Sequence, residues 1–178
     1  MKFSIWNKSA KSEIQKLFTR TFSDSEGPSE GDLVGRLVLE LMTKTDEKDI
    51  LGFVAIEDER IVGCIFFTRL LFDAPVDALL LSPLAVHSDY QGKATGQNLV
   101  KFGLGQLKEK GVKLVFTYGD PDFYSRVGFE PVSEALAKAP FELSRPEGWL
   151  CQSLDGSVIE SLPGRARCVK AFNNSEYW

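Results

Sequence analysis

One stretch, LSPLAVHSDYQGKATGQNL over residues 81–99, constrains this chain more than any other. The apolar run 78–86 predicts a buried strand, and the polar residues 87–90 predict a turn. Small residues at 91–96 then lead into a helix, whose first N–H groups have no internal partners and carry partial positive charge. This order predicts an anion-binding site. An ordinary βα turn is the alternative that the glycine pattern leaves open.

Two further features bear on the choice between an anion-binding site and an ordinary βα turn. Pro83 lies inside the predicted strand, and because proline has no N–H to donate, it marks a bulge or a sheet edge. A second segment, GDPDFYSRVGFEP over residues 119–131, follows another apolar run. Asp120 as cap, Pro121 as first helical residue and Gly128 as terminator predict a short helix there.

Together these segments resemble the GCN5-related N-acetyltransferase (GNAT) family, most closely its YhbS-like branch. That branch combines an LxPLAV strand, here Leu81–Val86, with a GDPxxYxxxGF segment, here Gly119–Phe129. In the family, a bulged fourth strand leads to a Q/R-x-x-G-x-G/A loop that wraps the pyrophosphate of acetyl-CoA. Gln91, Ala94 and Gly96 occupy that loop pattern here.

The resemblance implies a mixed α/β fold. The expected architecture is a central, mostly antiparallel sheet with a parallel, splayed pair of strands 4 and 5, flanked by helices. It also implies a single GNAT domain over residues 1–178, with a core at about 3–131 and C-terminal strands at about 132–178.

The implied activity is acetyl-CoA-dependent transfer of an acetyl group to a primary amine of a small molecule or protein, by direct attack on the thioester. Acetyl-CoA is the implied co-substrate, and no metal is expected. The alternative is a catalytically weak GNAT-fold module that binds acyl-CoA or regulates through a partner. The residues expected to bind the cofactor are Leu84, Ala85, Val86, Gln91, Gly92, Lys93, Ala94, Thr95 and Gly96.

Acetyl transfer to an amine needs a donor for the oxyanion, a proton for the leaving thiolate and a base for the amine. The resemblance assigns the first role to the backbone N–H of Val86. Tyr124 suits the second, because a phenol with a pKa of about 10 is protonated at neutral pH. No residue is a clear base: Asp73, Asp77, Ser82 and Glu57 are weak candidates, each more typical of a solvated surface. His87, the only histidine, is interpreted as a loop residue.

Ala94 departs from the family pattern, which most often has glycine at that position. If its φ is positive, alanine costs on the order of 1 kcal/mol, and in ordinary helical space it costs nothing. We expect CoA binding to survive in either case.

Composition limits the remaining possibilities. The chain has 178 residues, 43% hydrophobic and 26% charged, with a formal charge of −4, which argues against a general nucleic-acid binder. No apolar run approaches the roughly 20 residues of a membrane span. Three scattered cysteines have no metal-ligand spacing and indicate reduced thiols in the cytoplasm. The chain is expected to be a monomer or homodimer, with no nucleic-acid or membrane partner.

Other elements follow from local patterns. We expect a first strand at Phe3–Ile5, a helix capped by Ser9, a loop at 24–31, and a hairpin of strands 51–56 and 61–67. C-terminal strands are predicted at 141–143, 149–154 and 166–169. The aromatic residues Trp149, Tyr177 and Trp178 are expected to be exposed, serving an interface or covering the sheet.

Overall fold

The computed structural model describes all 178 residues, which form four α-helices and nine β-strands joined by short 3₁₀ turns. The strands are β1 (Lys2–Ile5), β2 (Ile50–Glu57), β3 (Arg60–Phe72), β4 (Ala74–Val86), β5 (Leu114–Tyr118), β6 (Glu130–Pro131), β7 (Ala137–Lys138), β8 (Trp149–Ser153) and β9 (Leu162–Arg165). The helices are α1 (Lys11–Glu26), α2 (Pro28–Lys44), α3 (Thr95–Glu109) and α4 (Pro121–Tyr124).

Seven strands form one mixed sheet in the order β1-β2-β3-β4-β5-β8-β6, and β7 pairs with β9 in a second, parallel pair. β4 and β5 run parallel, from Ala78 opposite Leu114 to Leu81 opposite Thr117. The ladders of β1 with β2, β5 with β8 and β6 with β8 are antiparallel. The predicted mixed α/β fold, with its parallel pair of strands 4 and 5, is therefore confirmed.

The chain divides into two compact units, residues 1–66 with 83–103 and residues 67–82 with 104–178. β3, β4 and α3 each contribute residues to both units. The expected single domain over residues 1–178 stays a prediction.

In the first unit, α1 and α2 form a helical hairpin where the polar composition predicted a loop. α1 continues to Glu26, Gly27 alone makes the turn with φ +100°, and Pro28 occupies the first turn of α2. Proline is tolerated there because that N–H needs no helical partner. The predicted loop at 24–31 is wrong, since its polar residues lie mainly on exposed helix surface.

The two helices approach closely because glycines of α2 face small residues of α1. A Cβ at Gly31 would lie 2.5 Å from the Thr19 carbonyl oxygen, and one at Gly35 would also collide with the Thr19 side chain. The sequence predicted that Ser9 caps α1, but the residue before α1 is Ala10, and no side chain caps the helix. Instead, Asn7 accepts from the Ser9 N–H at 2.9 Å and begins a 3₁₀ turn that precedes the helix.

The predicted hairpin of β2 and β3 is confirmed, and its turn is tight. Asp58 and Glu59 are the only residues between the strands, and their φ angles are +47° and +62°. Positive φ at both central positions defines a type I′ turn, whose twist matches that of the flanking strands. In the first unit, Phe18 of α1 stacks on Phe66 of β3, with 6.2 Å between the ring centroids.

The second unit has a chain of aromatic side chains at its centre. Phe116 stacks on Trp149 at 5.1 Å, and Trp149 meets Trp178 at 6.1 Å. Trp149 and Trp178 are 0% and 6% exposed, so the expected exposure is wrong and both side chains cover the sheet.

Of the three C-terminal strands that the sequence predicted, the structure contains one. β8 confirms the strand predicted at 149–154, but residues 141–143 are irregular. Phe141 packs against Trp178 at 6.4 Å, so its apolar character reflects core burial and not strand formation. The last strand is Leu162–Arg165, not 166–169. Gly164 lies within this strand at φ +78°.

Candidate active site

The parallel ladder between β4 and β5 ends at a defined rung, Leu81 opposite Thr117. The Thr117 hydroxyl donates to the Leu81 carbonyl at 3.0 Å, and the Thr117 side chain is 1% exposed. β4 continues beyond this rung to Val86. β4 is one strand from Ala74 to Val86, and Pro83 lies within it. The bulge that the sequence predicted at Pro83 stays a prediction.

Beyond this rung, the backbone of β4 presents polar groups on alternating sides. The His87 N–H donates to the Val62 carbonyl of β3 at 2.8 Å. Successive N–H groups of a strand point to opposite sides, so the Val86 N–H points away from β3. The Ala85 carbonyl lies on the β3 side, 3.5 Å from the position that a Cβ at Gly63 would take. Leu84 and Val86 therefore direct their backbone groups away from β3, and Ala85 does not.

Gln91 connects the following loop to the end of β4. Its side-chain Nε2 donates to the Val86 carbonyl at 2.8 Å, on the same side as the Val86 N–H. The predicted loop glutamine therefore positions the backbone at Val86, a contact that the motif alone does not reveal. His87 lies where the sequence placed it, in the loop: its Nδ1 accepts from the Asp89 N–H at 3.3 Å and caps the 3₁₀ turn Ser88–Tyr90.

The loop before α3 has the backbone of an anion site. Gly92 and Ala94 have φ angles of +69° and +61°, and the Ala94 carbonyl accepts the first helical bond from Asn98 at 2.9 Å. The N–H groups of residues 92–97 donate to no protein acceptor. Left-handed residues next to a helix start turn such N–H groups toward one concave surface, where the helix dipole adds positive potential.

The side chains of this loop play different parts. Lys93 places its ammonium 5.6 Å from the centre of the Tyr90 ring, which orients its positive charge beside the loop. Gln91, Gly92, Lys93 and Ala94 are exposed, Gly96 is half-buried and Thr95 is buried. Thr95 is 3% exposed as a whole residue.

In the second unit, the Tyr124 segment folds as predicted. Asp120 accepts from the Asp122 N–H at 2.9 Å, Pro121 begins α4, and Gly128 ends the segment with φ +96°. The Tyr124 ring lies against Gly119, where a Cβ would be 2.7 Å from Cε2. Phe123 and Phe129 contact the ring edge to face at 5.0 and 5.5 Å. Packing on three sides fixes the phenol.

The surroundings of Tyr124 keep its hydroxyl protonated. Burial raises the pKa of Tyr124 to about 12, the Asp120 carboxylate adds to the shift, and the Thr117 hydroxyl opposes it. Tyr124 and Thr117 are thus brought to the last rung of the ladder, and Thr117 is a residue that the sequence did not single out.

The weak candidates for a base have other partners. Asp73 binds Arg167 at 2.7 Å, Asp77 binds Arg69, and Glu57 binds the N-terminal ammonium. Ser82 is half-buried in β4. No group of three or more histidine, cysteine, aspartate or glutamate side chains is arranged to hold a metal ion. None of the helices has both the length and the apolar character needed to cross a membrane.

Comparison with known proteins identifies the family. The model of the acetyltransferase (GNAT) domain matches residues 48–131. YjhQ of Escherichia coli (strain K12), described as an uncharacterized N-acetyltransferase, is 34% identical over 173 residues, which cover 94% of this chain and 91% of YjhQ. The chain belongs to the GNAT family and is, by family, an N-acetyltransferase.

Solved structures agree with this assignment. The GNAT family N-acetyltransferase YhbS from Escherichia coli, crystallised in complex with CoA, has a TM-score of 0.80 at 25% identity, over 98% of this chain and 92% of YhbS. In sequence, YhbS of the K12 strain is 36% identical over 120 residues, 66% of each chain. A Brucella melitensis GNAT acetyltransferase in complex with acetyl-CoA shares the fold, with a TM-score of 0.75 at 23% identity over 96% and 97% of the two chains. The resemblance to the YhbS-like branch is confirmed.

Proposed function

We propose that this chain binds acetyl-CoA and transfers its acetyl group to a primary amine of a small molecule or protein, by direct attack of the amine on the thioester. The observation that carries the proposal is the loop at residues 92–97, whose backbone N–H groups have no protein acceptor. Such a loop suits a pyrophosphate, and two of the related proteins are crystallised with CoA or acetyl-CoA.

The residues present fit that co-substrate. Gly92–Gly96 supply N–H groups to the pyrophosphate, Lys93 adds a positive charge, and Gln91 holds the loop to Val86. Leu84 and Val86 supply backbone groups to the pantetheine arm, because both face away from β3. Acetyl-CoA contributes an acetyl group activated as a thioester. Ala85 contributes through packing, since its carbonyl faces Gly63.

Two groups of the chain act on the reacting atoms in this proposal. The Val86 N–H donates to the thioester oxygen as negative charge develops there. Tyr124 donates its proton to the leaving sulfur, and its raised pKa keeps that proton in place at neutral pH. The amine loses its own proton to water in this proposal, because no residue of the chain is a clear base.

The alternative is a catalytically weak module that binds acyl-CoA and acts through a partner. One observation favours it: Ala94 holds a left-handed backbone position with φ +61°. A methyl group there brings strain and crowds the loop.

Thiol release from acetyl-CoA, measured with a panel of small amines and lysine peptides, tests the proposal. We expect amine-dependent release, a kcat reduced by about 10²-fold or more in Tyr124→Phe, and little change in Tyr177→Phe, which also keeps its ring. Thermal unfolding with CoA tests binding separately. A stabilisation by CoA with no thiol release for any amine would favour the alternative, and no effect of CoA would contradict both.

A further inference from the structure

A second candidate binding site lies in the unit of residues 67–82 and 104–178. It is a surface cavity of about 670 Å³, lined by Asp73 from the β3–β4 turn and by the C-terminal residues Arg165, Arg167, Lys170 and Asn173, among others. None of the residues assigned to acetyl transfer lines it. Three cationic side chains and one carboxylate therefore meet at one cavity in a chain whose formal charge is −4.

The backbone that carries these cations is fixed by hydrogen bonds on both sides. Arg167 and Leu71 exchange two backbone bonds, of 2.8 and 2.9 Å. The neighbouring Ala166 N–H donates to the Lys138 carbonyl at 2.9 Å. The Asp73 N–H donates to the Pro163 carbonyl at 3.2 Å. The cavity wall is thus held in place before any ligand arrives, which lowers the entropic cost of binding.

The cations keep most of their hydrogen-bonding capacity. Arg165 uses one N–H, from Nη1 to the Ala139 carbonyl at 2.8 Å, and Arg167 uses Nη1 for Asp73 at 2.7 Å. A guanidinium has five N–H donors, so most remain on each arginine. The Asp73 and Arg167 side chains are each 57% exposed, so their ion pair is weak and easily exchanged. Lys170 makes no ion pair.

We propose that this cavity binds a small oxyanion, a phosphate or a polycarboxylate. Planar arginine donors match the paired oxygens of both groups, and the Lys170 ammonium adds a point charge. Asn173 contributes an amide that can donate to the same oxygens. One carboxylate against three cations leaves a positive excess that such a ligand neutralises.

Titration of the full chain with inorganic phosphate, and separately with citrate, tests this at constant ionic strength. Calorimetry gives the affinity, and amide chemical shifts show where each anion binds. We expect shifts at residues 71–73 and 165–173, and a Kd raised at least about tenfold in Arg167→Gln and in Lys170→Gln. The controls are Arg20→Gln, which loses a comparable exposed pair with Asp24, and Lys108→Gln. Both should leave the Kd unchanged.

Each result decides the proposal. Tighter binding of phosphate indicates a phosphate ester as ligand, and tighter binding of citrate indicates a polycarboxylate. Shifts confined to residues 91–97 would place the anion at the loop before α3 and overturn the proposal. It would also be overturned by no binding at 10 mM, about the weakest affinity useful for a small ligand, or by equal weakening in Arg20→Gln. Because the shifts are read on the wild-type protein, a variant that fails to fold does not weaken the test.

Discussion

Replacing Ala94 with glycine is expected to stabilise this protein, although most alanine-to-glycine changes destabilise. Ala94 has φ +61°, which costs an L-residue about 1–2 kcal/mol. Glycine removes that strain but adds freedom to the unfolded chain, at a cost of about 0.4–1 kcal/mol. Ala94 is exposed, so its methyl group contributes little packing. The net gain expected for Ala94→Gly is about 0.5–1 kcal/mol.

Urea unfolding measures this gain directly, as a higher midpoint at an unchanged slope. For a chain of this length, the melting temperature should rise by about 1–4 °C. Two variants serve as controls. Gly92→Ala places a methyl group at φ +69° with no atom within 4 Å, so it should lose about as much as Ala94→Gly gains. Ala10→Gly, at φ −87°, should destabilise in the ordinary way.

A neutral or destabilising Ala94→Gly, together with a harmless Gly92→Ala, would refute the left-handed conformation of the loop. The preorganised anion site would be refuted as well, because the orientation of its free N–H groups depends on those two φ angles. The same variant bears on the alternative function. If Ala94 alone weakens the module, Ala94→Gly should tighten CoA binding as well as raise stability.

Three further predictions follow from the same structure. Tyr124 has a pKa raised to about 12 in the folded protein, against about 10 in the unfolded chain, so its stabilising contribution is complete below about pH 10 and lost between about pH 10 and 12. Urea unfolding over that range should show a shallower loss of stability in Tyr124→Phe than in the wild-type protein. An equal loss of stability would contradict the burial of the phenol. Gly31→Ala should destabilise the protein by about 1–3 kcal/mol, because the added Cβ meets the Thr19 carbonyl, whereas Gly105→Ala, in open space on α3, should stabilise it by about 0.5–1 kcal/mol. Thermal unfolding of both variants measures these effects. If Gly31→Ala is tolerated, the close approach of α1 and α2 is refuted. Val86→Ala should lower the free energy of unfolding by about 1–2 kcal/mol, because Val86 is only 9% exposed, but it should keep kcat, because the backbone N–H remains. A kcat that falls while the variant stays folded would argue against the role of the backbone N–H.

The parts of the fold that sequence predicted well are those fixed by neighbours in the chain. Asp120, Pro121 and Gly128 define the start of α4 and the end of its segment through contacts within a few residues, and the structure confirms all three. The order of strands and the parallel pair followed from the family resemblance. The helical hairpin was missed because a single glycine, Gly27, replaces the expected loop, and its polar neighbours face solvent from within helices.

The parts that sequence missed depend on distant contacts. Nothing in the local sequence indicates that the Gln91 amide bonds to the Val86 carbonyl, or that Thr117 bonds to Leu81 across the ladder. The cationic cavity likewise joins the β3–β4 turn to residues far along the chain. The aromatic side chains near the C-terminus were expected to be exposed, but Trp149 and Trp178 are buried. Their burial follows from the packing of the folded sheet, which the local sequence does not indicate.

The candidate site relies on backbone geometry more than on side-chain identity, which explains both its clear motifs and its obscure chemistry. A motif records the residues that allow a backbone shape, such as Gly92 at φ +69° or Pro83 without an N–H. It does not record which peptide groups are then left without partners. In this chain those groups are the N–H groups of residues 92–97 and, by alternation along β4, the one at Val86. Side chains enter mainly as supports: Gln91 and Thr117 hold carbonyl groups, and Gly119 makes room for the Tyr124 ring. Acceptor choice needs side chains that recognise an amine, so these backbone motifs identify the co-substrate far better than the acceptor.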